Sequence, residues 1–371
     1  MKAMARIIVA AAVMGGMIAP VFASAPPDFA ALSRIVAVSG YEQQLSAAIA
    51  HQLDALHPHT DNLGDVWVTV GSGSPHRLIV AAIDQPGYVV SGITAQGYLR
   101  VQRLPQREPN PVFDTLSFAQ PAYVVTPKGL LNGGFAGLSI HLAPGRLDPP
   151  SMSHIDNLYL DIGAHSAAEA RAAGADILDP VRLAQAPMTI GADDEAGAAA
   201  GDRFGWEALL EAAQGLAHAR ARGTTTIAFV TQQWLGGRGL ARLLTELPVD
   251  EMIFVGRIDP QSPAAGGTIS GLQPGAGVVI GTTAAGTASL PDALQSLALA
   301  HHIAARTVAA KPPVIGGFGD KPNAAAFRPA RRADALSGDA RRDVLAGGPA
   351  PADASARGLH RRTGDRHERG E

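Results

Sequence analysis

The chain contains no cysteine, which excludes a disulfide, a thiolate metal site and a thiol nucleophile; any metal would have to sit on His, Asp and Glu. Aromatic residues make up only 5% of the 371 positions and charged residues 17%. An excess of one charge is missing too. Thirty Lys and Arg stand against 33 Asp and Glu, a formal charge of -3, so no whole-protein field exists to gather nucleic acid or an anionic membrane. What is abundant is apolar surface and turn formers: 46% hydrophobic residues, 42 Gly and 27 Pro. This composition gives a globular chain long enough for one large core or two smaller ones.

The two ends differ from the middle. Lys2 and Arg6 precede a short apolar run from Ile7 to Ala19, followed by small residues around Ala23. That is the pattern of a secretory signal, predicted over residues 1–23 with cleavage after Ala23, and it implies a periplasmic or secreted protein. The run is too short to span a bilayer comfortably, so no stable membrane span is expected after cleavage. At the other end, residues 328–371 hold ten Arg, seven acidic residues and no aromatic residue. Such a stretch buries too little to fold and is predicted to be a disordered tail.

Between the ends, apolar runs of strand length alternate with helical periodicity, which predicts an α/β layered core. Leu32 to Leu56 carries helix-spaced apolar residues. Trp67 to Val70 reads as a strand after the turn at Asp61-Asn62-Leu63-Gly64, and Leu78 to Ile83 as a strand buried on both faces. Helices are predicted over Trp206 to Ala219 and Leu240 to Leu247, and strands over Thr225 to Thr231 and Met252 to Val255. That order implies parallel pairing. Residues 92–185 hold short strand-like pieces, such as Tyr98 to Val101 and Ala122 to Thr126, broken by Pro and Gly. The predicted layout is a mixed-sheet α/β core from residues 28–91 and 186–327, interrupted by a small inserted β domain at 92–185. Clefts between such domains are common ligand sites.

Four segments in this order resemble the glutamyl-aminopeptidase and tetrahedral-aminopeptidase family of two-metal exopeptidases. The first is Val38-Ser39-Gly40-Tyr41-Glu42 followed by Asp61-Asn62-Leu63-Gly64-Asp65. The second is Leu158-Tyr159-Leu160-Asp161-Ile162-Gly163 with Ala168-Glu169 and Gly174. The third is Asp202-Arg203-Phe204-Gly205 with Leu209-Leu210-Glu211, and the fourth Thr231-Gln232 with Gly236, Arg238 and Gly239. The resemblance covers residues 29–327. It implies a zinc-aminopeptidase-like core, two zinc or cobalt ions, and a Glu that activates the bridging water for attack on a peptide carbonyl. Two dications about 3.5 Å apart repel by roughly 19 kcal/mol even at an effective dielectric near 20, so anionic ligands are indispensable.

The positions that the resemblance assigns to this chemistry are altered. Ala82 stands where the first His ligand belongs, two residues before Asp84, the acid that orients that ligand in the family. Asp84 is retained and is predicted to be vestigial, a buried hydrogen-bonded acid. Gly201 takes the place of the bridging carboxylate before Asp202-Arg203. Gln233 replaces the catalytic Glu, Trp234 a ligand Glu and Gly256 a ligand Asp. A Gln cannot accept a proton as a general base does, and an indole offers no lone pair for coordination. The final His cannot be placed, because the resemblance fades around Phe318 and ends by Arg328; a shifted reading frame would produce such an ending.

The sequence therefore predicts an exported relative that has lost metal binding and catalysis, needs no cofactor, and binds a peptide or partner protein but no nucleic acid. The alternative is an active metallo-aminopeptidase with ligands relocated to acids such as Asp84, Asp193, Asp202 and Asp259. Homo-oligomers are implied by the resemblance. His301-His302, on a predicted helix, point about 100° apart and cannot chelate together. Gly133-Gly134 and Gly316-Gly317-Phe318-Gly319 lack a following Lys-Ser or Lys-Thr and read as turns, and Ser39 lacks the nucleophile-elbow pattern.

Overall fold

The computed structural model describes residues 29–104, 116–137, 158–185, 188–191, 194–197, 200–216, 222–258, 275–283 and 289–316. The expected signal segment and tail lie outside the described residues.

The apolar periodicity predicted over Leu32 to Leu56 resolves into two helices and a single 3-10 turn. Helix α1 spans Phe29–Leu32, α2 spans Gln43–Gln52, and the 3-10 turn covers Asp54–Leu56. The break between the helices has a physical cause. Gly40 takes a left-handed φ of 90°, and Val38 leaves the helical path to form a parallel bridge with Gln85. Strands β1 (His59–Thr60), β2 (Val66–Ser72) and β3 (His76–Ala82) follow. The chain then leaves for β4 (Gly87–Ile93), β5 (Leu99–Leu104), β6 (Pro121–Thr126), β7 (Gly129–Ala136), β8 (Tyr159–Asp161), helix α3 (Ala167–Ala173) and β9 (Pro180–Leu183). A ribbon of β10 (Met188–Ile190) and β11 (Asp194–Ala196) leads to helix α4 (Ala200–Gly215) and β12 (Gly223–Val230). Helix α5 (Arg238–Glu246), β13 (Glu251–Val255), β14 (Val278–Thr282), α6 (Ser289–Ala300) and β15 (Ala305–Ala309) complete the described chain.

The core sheet is mixed, in the order β1-β2-β12-β3-β13. Parallel pairing holds for β12 with β3 and β13 with β3, as the alternation implies, but β2 runs antiparallel to β12. No sequence period separates these two cases, since both put apolar residues on the sheet faces. One face packs Leu45 and Ile49 of α2, Leu53 just after it, and Trp206, Leu209 and Leu210 of α4 against Val66, Val68, Ile227 and Phe229. The other face carries Leu240 and Leu243 of α5 on Leu78, Val80, Ala228 and Val230. The run predicted to be buried on both faces is thus β3, flanked by strands on both edges and by helices on both faces.

The inserted domain is a closed barrel, β4-β5-β8-β7-β6-β9, filled by Tyr88, Val90, Leu99, Val124, Phe135 and Leu160. Gly133 and Gly134 lie within β7, not in a turn as the sequence suggests. At Gly133 an added Cβ would sit 2.9 Å from the Asp161 carbonyl oxygen, so the close approach of β8 selects glycine inside a strand. The barrel is tied to the core through Arg182, which donates to the Ser33 and Arg34 carbonyls at 3.5 and 3.3 Å. Among the described residues no helix is long and apolar enough to cross a membrane.

Candidate functional site

The carboxyl ends of β3, β12 and β13 lie side by side, with Val230 paired to Ala82 and Val255 to Ala81. In open α/β sheets this edge is where ligands bind. This edge carries the positions singled out in the sequence: Ala82 as the last residue of β3 with Asp84 just beyond it, Gln233 and Trp234 after β12, and Gly256 after β13.

Asp84 is 1% exposed. Its Oδ1 accepts the Gln233 amide at 3.0 Å, and its Oδ2 accepts the Trp234 amide at 2.9 Å and the Ser39 hydroxyl at 2.5 Å. Both carboxylate oxygens therefore serve to fix the turn after β12. The two neighbouring amides of that turn are held in the same way. Thr231 N–H donates to Asp65 Oδ1 at 2.7 Å, and Gln232 N–H to Glu42 Oε1 at 2.9 Å. Four consecutive amides thus end on three buried carboxylates that come from the start of α2, the turn before β2 and the end of β3. Gln232 itself takes a left-handed φ of 54°, a conformation these anchors enforce.

Among the described residues, amides and hydroxyls bind these acids. Burial pushes the Glu42 carboxyl up to about 7, the Asp84 charge adds to the rise, and the Gly40 and Gln232 amides work against it. Burial likewise raises Asp65 to about 6, opposed by the Thr231 hydrogen bonds, with the charges of Asp61 and Asp84 raising it further. Asp84 also rises to about 6 by burial, opposed by Ser39, Trp234 and Gln233.

The donor set at the strand ends does not fit a pair of dications. Ala82 presents a methyl group. Gln233 spends its Nε2 on the Val314 carbonyl at 2.9 Å, and its Oε1 is buried without a partner. Trp234 lies beneath the Arg257 guanidinium, 4.8 Å from the ring centroid, which puts a positive charge at this edge. Gly256 packs against α4, where a Cβ on Gly205 would fall 2.7 Å from the Gly256 Cα. Among the described residues no group of three or more His, Asp or Glu is placed to hold a metal ion. Of the acids considered as relocated ligands, Asp202 lies on α4 and Asp193 and Asp259 lie outside the described residues. His301 and His302 are exposed in the turn just after α6, which ends at Ala300, so they sit past the helix on which the sequence places them.

Sequence reasoning found Asp84 but gave Glu42 and Asp65 no role. Both belong to quoted motifs, and the signal that could have found them is an acid within two residues of a tight Gly turn, Ser39-Gly40 in one case and Leu63-Gly64 in the other.

Known proteins share this architecture. The TET1 peptidase of Pyrococcus horikoshii, which assembles into a tetrahedron or a large octahedral shell, matches with a TM-score of 0.67 at 26% identity over 80% of this chain and 85% of that one. The TET aminopeptidase of Thaumarchaeota archaeon SCGC AB-539-E09 shares the fold with a TM-score of 0.66 at 22% identity, over 78% of this chain and 81% of that one. In sequence, the Escherichia coli (strain K12) protein named "Putative aminopeptidase SgcX" is 28% identical over 229 residues, 59% of this chain. The chain spans 58% of the length of that curated relative. The model of the M42 glutamyl aminopeptidase family matches residues 64–312, well over half of the chain, and the chain belongs to that family.

Proposed function

We propose that this chain is an exported, non-hydrolytic member of the glutamyl aminopeptidase family that binds a peptide or a partner protein without a bound metal. One observation carries the reading. At the strand ends where paired dications need anionic ligands, the chain presents Ala82, Gln233, Trp234 and Gly256, while both oxygens of the retained Asp84 are engaged by Ser39, Gln233 and Trp234. A ligand entering this edge would meet an indole capped by a guanidinium in place of a metal-bound water. The apolar run Ile7 to Ala19 supports export, and the shells built by the TET1 peptidase support a homo-oligomer here.

Metal analysis of the purified chain, paired with aminoacyl reporter substrates, tests the proposal. We expect well under one zinc or cobalt per chain and no hydrolysis above background. About two cations per chain, with hydrolysis abolished by a chelator, would overturn the reading in favour of an active aminopeptidase with relocated ligands.

A further inference from the structure

We propose, on the reading that the chain binds peptides, that the exposed pair Ile177 and Leu178 is a docking knob for a peptide segment in which two large apolar side chains stand between basic ones.

The pair forms the tip of a turn before β9. Asp179 N–H donates to the Asp176 carbonyl at 3.3 Å and closes it. Within the turn only Leu178 takes a left-handed φ, 75°, at the third position, where a type II turn calls for glycine. A side chain with a Cβ is strained in that conformation. Burial could repay the strain, yet Leu178 is 63% exposed and Ile177 beside it 52%. The backbone is nonetheless held firmly. Leu178 N–H donates to the Val90 carbonyl at 2.8 Å, and Val90 N–H to the Asp179 carbonyl at 2.9 Å, which fastens the turn to β4. Asp179 Oδ2 accepts the Asp176 amide at 2.7 Å, and Asp176 Oδ1 the Ile177 amide at 2.8 Å. Two apolar side chains are thus offered to solvent on a fixed backbone, so little freedom is lost when a ligand covers them.

Charge and position name the occupant. Asp176 and Asp179 flank the pair, and among the described residues neither forms an ion pair. A segment running past the turn meets acid, apolar, apolar, acid; its complement is basic, apolar, apolar, basic. One free amino terminus could not match both acids. A second copy set face to face on the knob would bring its own two acids against these, which like charge opposes. The turn also borders the loops that frame the strand-end edge: burial raises the Tyr41 phenol and the Asp179 charge raises it further, while a Cβ on the adjoining Gly40 would lie 3.6 Å from Leu235 Cδ1.

Calorimetric titration of the full chain with acetyl-Gly-Lys-Leu-Leu-Lys-Gly-amide, beside the counterpart with Glu in place of both Lys, measures the docking. We expect the Lys peptide to bind more tightly than the Glu peptide, and Leu178→Gly to weaken it about tenfold. The same variant should unfold at an equal or higher urea concentration, because glycine fits the left-handed φ without strain. No binding of the Lys peptide, no preference over the Glu peptide, or unchanged binding in Leu178→Gly would overturn the proposal. Earlier unfolding of the variant would overturn it too, by showing that the Leu178 side chain packs within the fold. A smaller assembly in sedimentation with peptide binding unchanged would give the turn to a second copy instead. The blocked peptide ends bar aminopeptidase cleavage, so metal content and reporter hydrolysis on the same samples keep a failure of the non-hydrolytic reading distinct from a failure of the knob.

Discussion

The two ends of the core's parallel strands handle charge in opposite ways. At the amino ends of β3 and β13, acids meet a guanidinium and an imidazole directly. Arg77 donates to Glu251 Oε2 through Nε at 2.9 Å and Nη2 at 2.6 Å, and the backbone and ring of His76 both contact Asp250 Oδ2. These pairs are half-exposed, and water shares the work of solvating them. At the carboxyl ends, Glu42, Asp65 and Asp84 are sealed from water, the Asp84 charge acts on the other two, and backbone amides and hydroxyls bind all three. A pair of half-hydrated charges is a local fastener that either strand could do without. A sealed group of like charges constrains every backbone atom near it, because each amide withdrawn leaves a buried oxygen unsatisfied.

Four experiments sharpen this contrast, beginning with the largest effect. Gly239→Ala puts a Cβ 2.3 Å from Asp65 Oδ1 and 2.6 Å from the Thr231 carbonyl oxygen, so something in the acid-held turn must move. We expect a loss of about 3 kcal/mol in denaturant unfolding. Asp84→Asn keeps the shape but turns an NH2 toward one of the three donors now satisfied. The expected loss is about 2 kcal/mol, and an unchanged midpoint would mean that the turn rearranges freely.

Third comes the pH dependence of stability. Glu42, Asp65 and Asp84 all have folded-state values above their ordinary ones, so the native chain holds more protons than the unfolded chain between roughly pH 4.5 and 7. Their combined contribution therefore falls as pH rises through that window, by on the order of 1 kcal/mol per pH unit. Urea titrations at pH 5.5 and 7.5 should show it, with the more acidic sample the more stable. The smallest effect belongs to the other end of the sheet. Arg77→Ala should cost under about 1 kcal/mol and lose much of that difference in high salt.

The sequence made the core strands legible because burial on both faces leaves unbroken apolar runs, as in Leu78-Ile79-Val80-Ala81-Ala82-Ile83. Helix α5 was legible from the spacing of Leu240, Leu243, Leu244 and Leu247. The antiparallel sense of β2 was not, since its Val66 and Val68 would look the same in a parallel strand. Nor was the closure of the barrel: β8 is three residues long, and its pairing with β7 is announced only by two glycines that resemble a turn. At the site, the substituted positions Ala82, Gln233, Trp234 and Gly256 could be read directly by aligning motifs. The carboxylate anchoring of the turn could not, because it joins residues up to 190 positions apart through backbone amides, which leave no trace in side-chain identity.

The placing of β12 between β2 and β3 bears on how the polypeptide is made. Strands β2 and β3 are near neighbours along the chain, yet neither pairs with the other; the groove between them is closed by a strand whose Thr226 meets Thr69 across 157 positions. During synthesis from the amino terminus, the intervening barrel emerges in full before Gly223–Val230 leaves the ribosome. Until then β2 and β3 present open edges toward a gap that no nearby segment fills. The centre of the core is consequently a late arrival, and the nascent chain must keep two sticky edges apart while it waits.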